Sequence, residues 1–320
     1  MRRPYLVVGF FVALTVLFTV IASGAGTSDT FIYIPLVNVP PDIVVTSDQL
    51  YVDIVGGGLH LVGELRNASE VNQGLLRAVV TLTQNDQIVH TASAFAMLTP
   101  LRPDERSPFD IGLGTPPNFD DYTLAATGSE TDSEPLDDFA LLSTNTFTET
   151  NHLQAVVGEL RNDMSSNARF VVAVGTFYDN NGDIWRADQN TTMLQVLAPG
   201  QRSPFKLAAV EPDEIASYVV EPRGFPTTVQ ADADLTIVTS AATIQDETLL
   251  VSGQVRNDGS DLANDVRVVI SLYSSSGHIL NADFVQMNTL AAGAVQPFEV
   301  TFSHGWQGYD HFELQTQGYR

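Results

Sequence analysis

Gly63-Glu64-Leu65-Arg66-Asn67 returns as Gly158-Glu159-Leu160-Arg161-Asn162 and again as Gly253-Gln254-Val255-Arg256-Asn257, at a constant step of 95 residues. A step this long exceeds the unit of a solenoid, so each copy has the length of a domain. The pentapeptide sits in a period-two segment. In the first copy Leu59, Leu61, Gly63, Leu65 and Asn67 fall on one side, with His60, Val62, Glu64 and Arg66 on the other. The second copy sets Val156, Gly158, Leu160 and Asn162 against Val157, Glu159 and Arg161. The third sets Leu249, Val251, Gly253, Val255 and Asn257 against Ser252, Gln254 and Arg256. Side chains alternate across a strand, so the pattern predicts a half-buried strand with its charges outward.

An inward glycine weakens a strand unless something occupies the space it leaves. A bulky side chain of the facing sheet is therefore expected over Gly63, Gly158 and Gly253, and Asn67, Asn162 and Asn257 are expected to bond the backbone of the following loop. Both roles are structural.

Outward from the pentapeptide, each copy opens on an Asp before a β-rich run: Asp42-Ile43-Val44, Asp138-Phe139-Ala140 and Asp234-Leu235-Thr236. Each closes on an aromatic strand that ends in Gly128, Gly224 or Gly318. The copies are thus 42–128, 138–224 and 234–318, joined by short polar stretches such as Ser129–Pro135 and Pro226–Gln230 that imply modest bending. A second strand places Leu76, Ala78, Val80 and Leu82 inward, then Val171, Ala173, Gly175 and Phe177, then Val266, Val268, Ile270 and Leu272. It leads into a hairpin turn, Asp179-Asn180-Asn181-Gly182 or Ser274-Ser275-Ser276-Gly277, with Gly at the φ > 0 position. The first copy is shorter there, Gln84-Asn85-Asp86, and should turn differently. A later strand begins Ser107-Pro108-Phe109, Ser203-Pro204-Phe205 or Gln296-Pro297-Phe298, with Phe109, Phe205 and Phe298 inward. Proline is tolerated at a strand start, where it need not donate a ladder bond.

About seven short strands per copy and no helical period predict an all-β chain of three tandem immunoglobulin-like β-sandwich domains. The Val-x-Gly-x-Leu/Val-x-Asn strand, followed by an aromatic pair before an Asn/Ser-Gly turn, resembles the FxLYD domain family. Its naming motif is matched in part by Gly175-Thr176-Phe177-Tyr178-Asp179 and Ile270-Ser271-Leu272-Tyr273-Ser274, and at Leu82 alone in Val80-Thr81-Leu82-Thr83-Gln84. The resemblance covers most of 42–318. It implies a prokaryotic extracytoplasmic β-sandwich module of unassigned role, without catalytic residues.

Export follows from the first residues. Arg2 and Arg3 precede an apolar run from Tyr5 to Ala22, and the small residues Ser23-Gly24-Ala25 offer a cleavage point. Residues 1–25 are a signal peptide or a retained membrane anchor helix, and either places the rest outside the cytoplasm, secreted or anchored. Residues 26–41, with Phe31-Ile32-Tyr33-Ile34, form a tether or an edge strand; a segment that adheres to the surface or a partner is the alternative.

Fifteen Lys+Arg against 38 Asp+Glu give a net charge of −23, which disfavours nucleic acid and anionic membrane surfaces as partners. Other envelope proteins or glycans remain, with membrane contact only through the N-terminal segment. The absence of cysteine removes disulfides, thiol catalysis and Cys-type zinc sites. His60, His90, His152, His278, His304 and His311 form no zinc-binding spacing, and no nucleophile elbow, phosphate loop or dinucleotide fingerprint occurs. No catalytic residue and no cofactor are expected.

Two constellations could still bind something. Asp179, Asn181 and Asp183 around Gly182 resemble a fragment of a calcium loop but lack the distal bidentate Glu, so a hairpin turn is the favoured reading. Trp185 and Trp306 could stack on sugar rings; by alternation from an inward Ile184, Trp185 should face outward beside Arg186. The first expectation is a non-enzymatic extracytoplasmic protein whose modules act as spacer or protein-binding units of the cell envelope. A carbohydrate-binding surface protein using exposed Trp is the alternative, and a hydrolase with an interdomain site the second alternative.

Overall fold

The computed structural model describes residues 42–53, 56–149, 153–210 and 214–320. The expected signal or anchor segment 1–25 and the tether 26–41 lie outside them. The described chain is all-β, and its strands form six small antiparallel sheets.

In the first repeat β1 (Ile43–Val52), β2 (Leu59–Asn67) and β5 (Arg106–Gly114) form one sheet in the order β1-β2-β5. β3 (Gln73–Gln84), β4 (Gln87–Phe95) and β6 (Asp121–Glu130) form the other, in the order β4-β3-β6. The chain changes sheet after β2, after β4 and again after β5. The second repeat repeats this plan with β7 (Phe139–Thr148), β8 (Leu153–Asn162) and β12 (Arg202–Val210) in one sheet. Its other sheet holds β9 (Asn167–Tyr178) between β10 (Ile184–Thr191) and β13 (Ser217–Thr227), with the two-residue β11 (Val196–Leu197) also pairing β9. In the third, β15 (Thr248–Asn257) lies between β14 (Leu235–Gln245) and β18 (Val295–Phe302), and β16 (Ala263–Ser274) between β17 (Ile279–Leu290) and β19 (Tyr309–Tyr319). The repeats have six, seven and six strands where the sequence suggested about seven throughout, because only the second adds the β11 edge piece.

Each pair of sheets encloses a core built from the alternating residues. Leu61, Leu65, Phe109 and Ile111 meet Leu76, Ala78, Val80 and Leu82 in the first repeat. Val156, Leu160, Phe205 and Leu207 meet Val171, Ala173 and Phe177 in the second. Leu249, Val251, Val255 and Phe298 meet Val266, Val268, Ile270 and Leu272 in the third. Burying such side chains, at roughly 1.5–3 kcal/mol each, is the main term holding a cysteine-free domain together.

The glycines fit a close approach, though not the one expected. Gly63 pairs with Phe109, Gly158 with Phe205 and Gly253 with Phe298, so the covering ring comes from the neighbouring strand of the same sheet and not from the facing sheet. A Cβ at any of the three positions would overlap the ring carbons Cζ and Cε1. On the other flank, the first strand of each repeat bulges opposite the pentapeptide, between Val45 and Ser47, Leu141 and Ser143, and Ile237 and Thr239. The glycine is thus wedged between a ring and a bulge.

The asparagine makes one clamp three times. Asn67 Nδ2 donates to the carbonyls of Val71 (2.8 Å) and Leu101 (3.0 Å), and its Oδ1 accepts from Ser69 N (3.0 Å). Asn162 does the same with Ser166, Leu197 and Met164, and Asn257 with Asp261, Leu290 and Gly259. All three side chains are buried, so each supplies partners that three backbone groups would otherwise lack.

The hairpin turns follow local chemistry. Gly182 (φ +80°) and Gly277 (φ +78°) take the left-handed position in the longer turns, whereas the shorter first turn places both Asn85 (φ +50°) and Asp86 (φ +60°) there.

Candidate functional site

The surface that the sequence assigned to solvent is covered in two of the three repeats. Val62 and Glu64, outward on β2, are buried, with Glu64 at 3% exposure. Val157 and Glu159 on β8 are buried as well, Glu159 at 1%. Their covering layer is the following repeat: β10 lies on β1, β2 and β5, and β17 lies on β7, β8 and β12. The equivalent residues of the third repeat, Ser252 and Gln254, are half-buried and exposed. The outward glutamates of the first two copies are therefore joint residues, which corrects their solvent-facing reading, while Arg66 and Arg161 stay at the surface on Asp104 and Asp163.

A buried carboxylate needs partners, and each joint supplies the same pair. Tyr178 Oη donates to Glu64 Oε1 (2.9 Å), and Arg106 meets Glu64 Oε2 at 3.2 Å. One repeat later Tyr273 Oη donates to Glu159 Oε1 (2.7 Å), and Arg202 meets Glu159 Oε2 at 3.3 Å while also pairing with Glu313. Burial pushes the Glu159 carboxyl above the usual carboxylate range, against the opposing pull of the Tyr273 hydroxyl and the Arg202 guanidinium. Burial together with the facing carboxylate pushes both phenols far up, so they stay protonated as donors.

Around this shared centre the joints differ. At the first, Tyr51 Oη donates to Asp110 Oδ2 (2.5 Å), His60 Nδ1 lies 2.9 Å from Asp110 Oδ1, and the Arg186 guanidinium stacks 3.9 Å over the Tyr51 ring. Arg223, reaching back from β13, pairs with Glu105 and lies 3.5 Å from Asp137, which Arg102 also holds at 2.7 Å. The Arg102 guanidinium draws the Asp137 carboxyl below its ordinary value. At the second joint Gln317 takes the place of Arg223: its Oε1 accepts from Gln195 N (2.7 Å) and Val196 N (3.1 Å), and its Nε2 donates to Val196 O (2.6 Å). Asn145 Nδ2 donates to Leu280 O (2.8 Å) and Ile279 N to Ser143 Oγ (3.3 Å). Apolar side chains cross both seams: Val174 belongs to the first core, and Val269, Tyr273, Ile279 and Ala282 to the second. The joints are packed surfaces, more extensive than the bending implied by the polar linkers.

Of the residues singled out in the sequence, Gly63, Gly158, Gly253, Asn67, Asn162, Asn257, Phe109, Phe205 and Phe298 lie in the repeat cores as described above. Trp185 is not an exposed stacking platform. It is the bulged residue between Ile184 and Arg186, half-buried, with the Arg186 guanidinium 4.7 Å from its ring. Ile184 is not turned into its own core either: it pairs with Tyr178 and shares that residue's side, toward the preceding repeat. Trp306 is half-buried against the third core. Both indole Nε1 atoms are buried without a hydrogen-bond partner among the described residues, whereas a sugar platform needs an open ring face.

The calcium-like fragment is organised as a turn. Asp179 Oδ1 accepts from Asn181 N (2.8 Å) and Asp183 N (3.0 Å), and Oδ2 from Asn181 Nδ2 (3.0 Å). Desolvation opposes its charge, but these amide donors hold its carboxyl below the usual range. Asn181 and Asp183 themselves are exposed. Among the described residues no group of three or more His, Asp or Glu side chains is placed to hold a metal ion.

The joint roles of Tyr178, Tyr273, Arg106, Arg202, Arg223 and Gln317 were not identified from sequence, although the two tyrosines lie in the motif stretches. One signal was present: outward valines at Val62 and Val157, where a solvated strand would carry polar residues, against Ser252 in the third copy.

No family model matches the chain, and no curated protein matches it. Among solved structures it is similar to a transglutaminase of red sea bream (8% identity, TM-score 0.19, covering 57% of this chain and 29% of that one). A calcium-binding mutant of β-glucuronidase 2 from Bacteroides uniformis (13% identity, TM-score 0.17, 51% and 24%) and a β-glucuronidase of glycoside hydrolase family 2 (10%, 0.18, 72% and 24%) also match. The chain spans less than a third of the length of each of these structures.

Proposed function

We propose that the chain is a non-enzymatic extracytoplasmic protein of the cell envelope, in which three tandem immunoglobulin-like β-sandwich domains of FxLYD type, 42–128, 138–224 and 234–318, act as spacer or protein-binding units. The observation that carries this reading is the repeated joint. Residues with chemical potential, Glu64, Glu159, Tyr178 and Tyr273 among them, are engaged in holding one repeat against the next. A spacer requires that successive modules keep a fixed relation, and a buried carboxylate satisfied only in one docked arrangement supplies that specificity. The basic and apolar pattern of residues 1–25, read as a signal peptide or membrane anchor, supports a location outside the cytoplasm.

Fractionation of cells making the tagged full chain, with protease added from outside, tests the reading. The protein is expected in the envelope or medium and open to protease. Recovery in the cytoplasmic fraction would overturn it.

A further inference from the structure

The described residues hold two complete joints and leave two matching halves uncovered, one on the first repeat and one on the third. We infer that copies of the chain associate head to tail, the β3–β4 hairpin of one copy seating on the β14-β15-β18 face of the next. This rests on the tandem-module reading above.

The donor half is marked by one isoleucine that occupies the same register in all three hairpins. Ile184 pairs with Tyr178 and Ile279 with Tyr273, and they are 1% and 0% exposed under the preceding repeat. Ile88 pairs with Thr83 in the same way but is not covered by a repeat among the described residues, and it is 70% exposed. What sets Ile88 apart from other exposed apolar residues is its register, which is that of two isoleucines buried at the internal joints.

The acceptor half is the face that β10 and β17 cover elsewhere. In the third repeat it forms an open groove lined by Thr239, Ser252, Gly253, Gln254, Pro297 and Glu299. Val295, at the rim, is an exposed apolar residue where Arg106 and Arg202 stand in the other repeats. The charged centre is replaced on both sides together: Gln254 and Val295 for Glu and Arg on the acceptor, Thr83 for Tyr on the donor. At that centre Gln254 can meet Thr83 without burying an unpaired charge, whereas Glu facing Thr83 would leave one, and the acidic side chain the union must accommodate is Glu299 in the groove lining. The union lacks the Tyr–Glu–Arg centre and works against the mutual repulsion of chains at −23, so it is weaker than the internal joints and strengthens with salt. Because donor and acceptor are different surfaces, the association is heterologous and open-ended.

Sedimentation of the full chain, kept in detergent so that residues 1–25 do not associate by themselves, decides the matter. The weight-average mass is expected to rise past that of a dimer as concentration and salt increase. Ile88→Asp removes the donor and Ser252→Arg blocks the acceptor, and each variant alone is expected to stay monomeric with an unchanged melting temperature. Mixed, they are expected to form dimers and nothing larger, since only one competent end of each remains. A wild-type chain that stays monomeric throughout, or association that survives either substitution, would overturn the inference. Neither result bears on where the cell places the protein, so the spacer reading stands or falls separately.

Discussion

The acceptor faces of the first two repeats and that of the third have the same backbone and opposite chemistry. Val62-Gly63-Glu64 and Val157-Gly158-Glu159 lie beneath a following repeat, while Ser252-Gly253-Gln254 faces a groove. The inward residue, glycine, does not change. The outward pair loses its apolar and its charged member together. Side chains on the two faces of one strand thus answer to different partners: the inner face to the repeat's own core, the outer face to whatever lies next along the chain.

That comparison can be strained first at the residue the faces share. Gly158→Leu and Gly253→Leu are each expected to destabilise their repeat by about 3 kcal/mol, because the ring of Phe205 or Phe298 already fills the space. Chemical denaturation followed by tryptophan fluorescence would measure both. A large cost in the covered repeat and a small one in the uncovered repeat would show that the glycine serves the joint and not the core.

A smaller effect is expected where the faces differ. Tyr273→Phe removes the donor to buried Glu159 and is expected to cost about 2 kcal/mol, the scale of a hydrogen bond to a charged group. Gln254→Ala, on the open face, is expected to change stability by less than about 0.5 kcal/mol. If the two substitutions prove equal, the tyrosine–glutamate contact holds nothing.

The smallest effect is one of pH. Burial raises the Glu159 carboxyl above its ordinary value of 4.5, so the folded chain holds that proton more tightly than the unfolded chain. Its contribution to stability is therefore fully present below the ordinary value and is lost as pH rises through the raised one. Glu159→Gln, which copies the residue found at Gln254, is expected to flatten that part of the stability profile above the ordinary carboxylate value. Thermal unfolding of both proteins across that range gives the difference directly, and identical slopes would refute it.

Much of the fold was legible because a strand writes its burial in alternate residues. Leu76, Ala78, Val80 and Leu82 were assigned to a core by period alone, and a core receives them. The asparagine clamp was readable for a similar reason, since a short amide at a strand end can reach only the loop beside it. The identity of the residue over each glycine was not. Both facing-sheet and neighbouring-strand rings satisfy the same pattern, and only the register of Gly158 against Phe205 separates them. Trp185 was misplaced because the count began from an inward Ile184, which instead shares the side of Tyr178, and because Trp185 is itself the bulged residue, where alternation does not hold.

By itself the sequence determined the repeat, its strands, the inward residues and the turn glycines, all of which depend on neighbours a few residues away or on a periodicity. Tertiary structure decided which outward residues are covered, and hence that Glu64 and Glu159 belong to joints. The partners Tyr178 and Tyr273 each lie more than a hundred residues along the chain from the carboxylate they meet. Alternation specifies a side of a strand, but not what will be brought to lie against it.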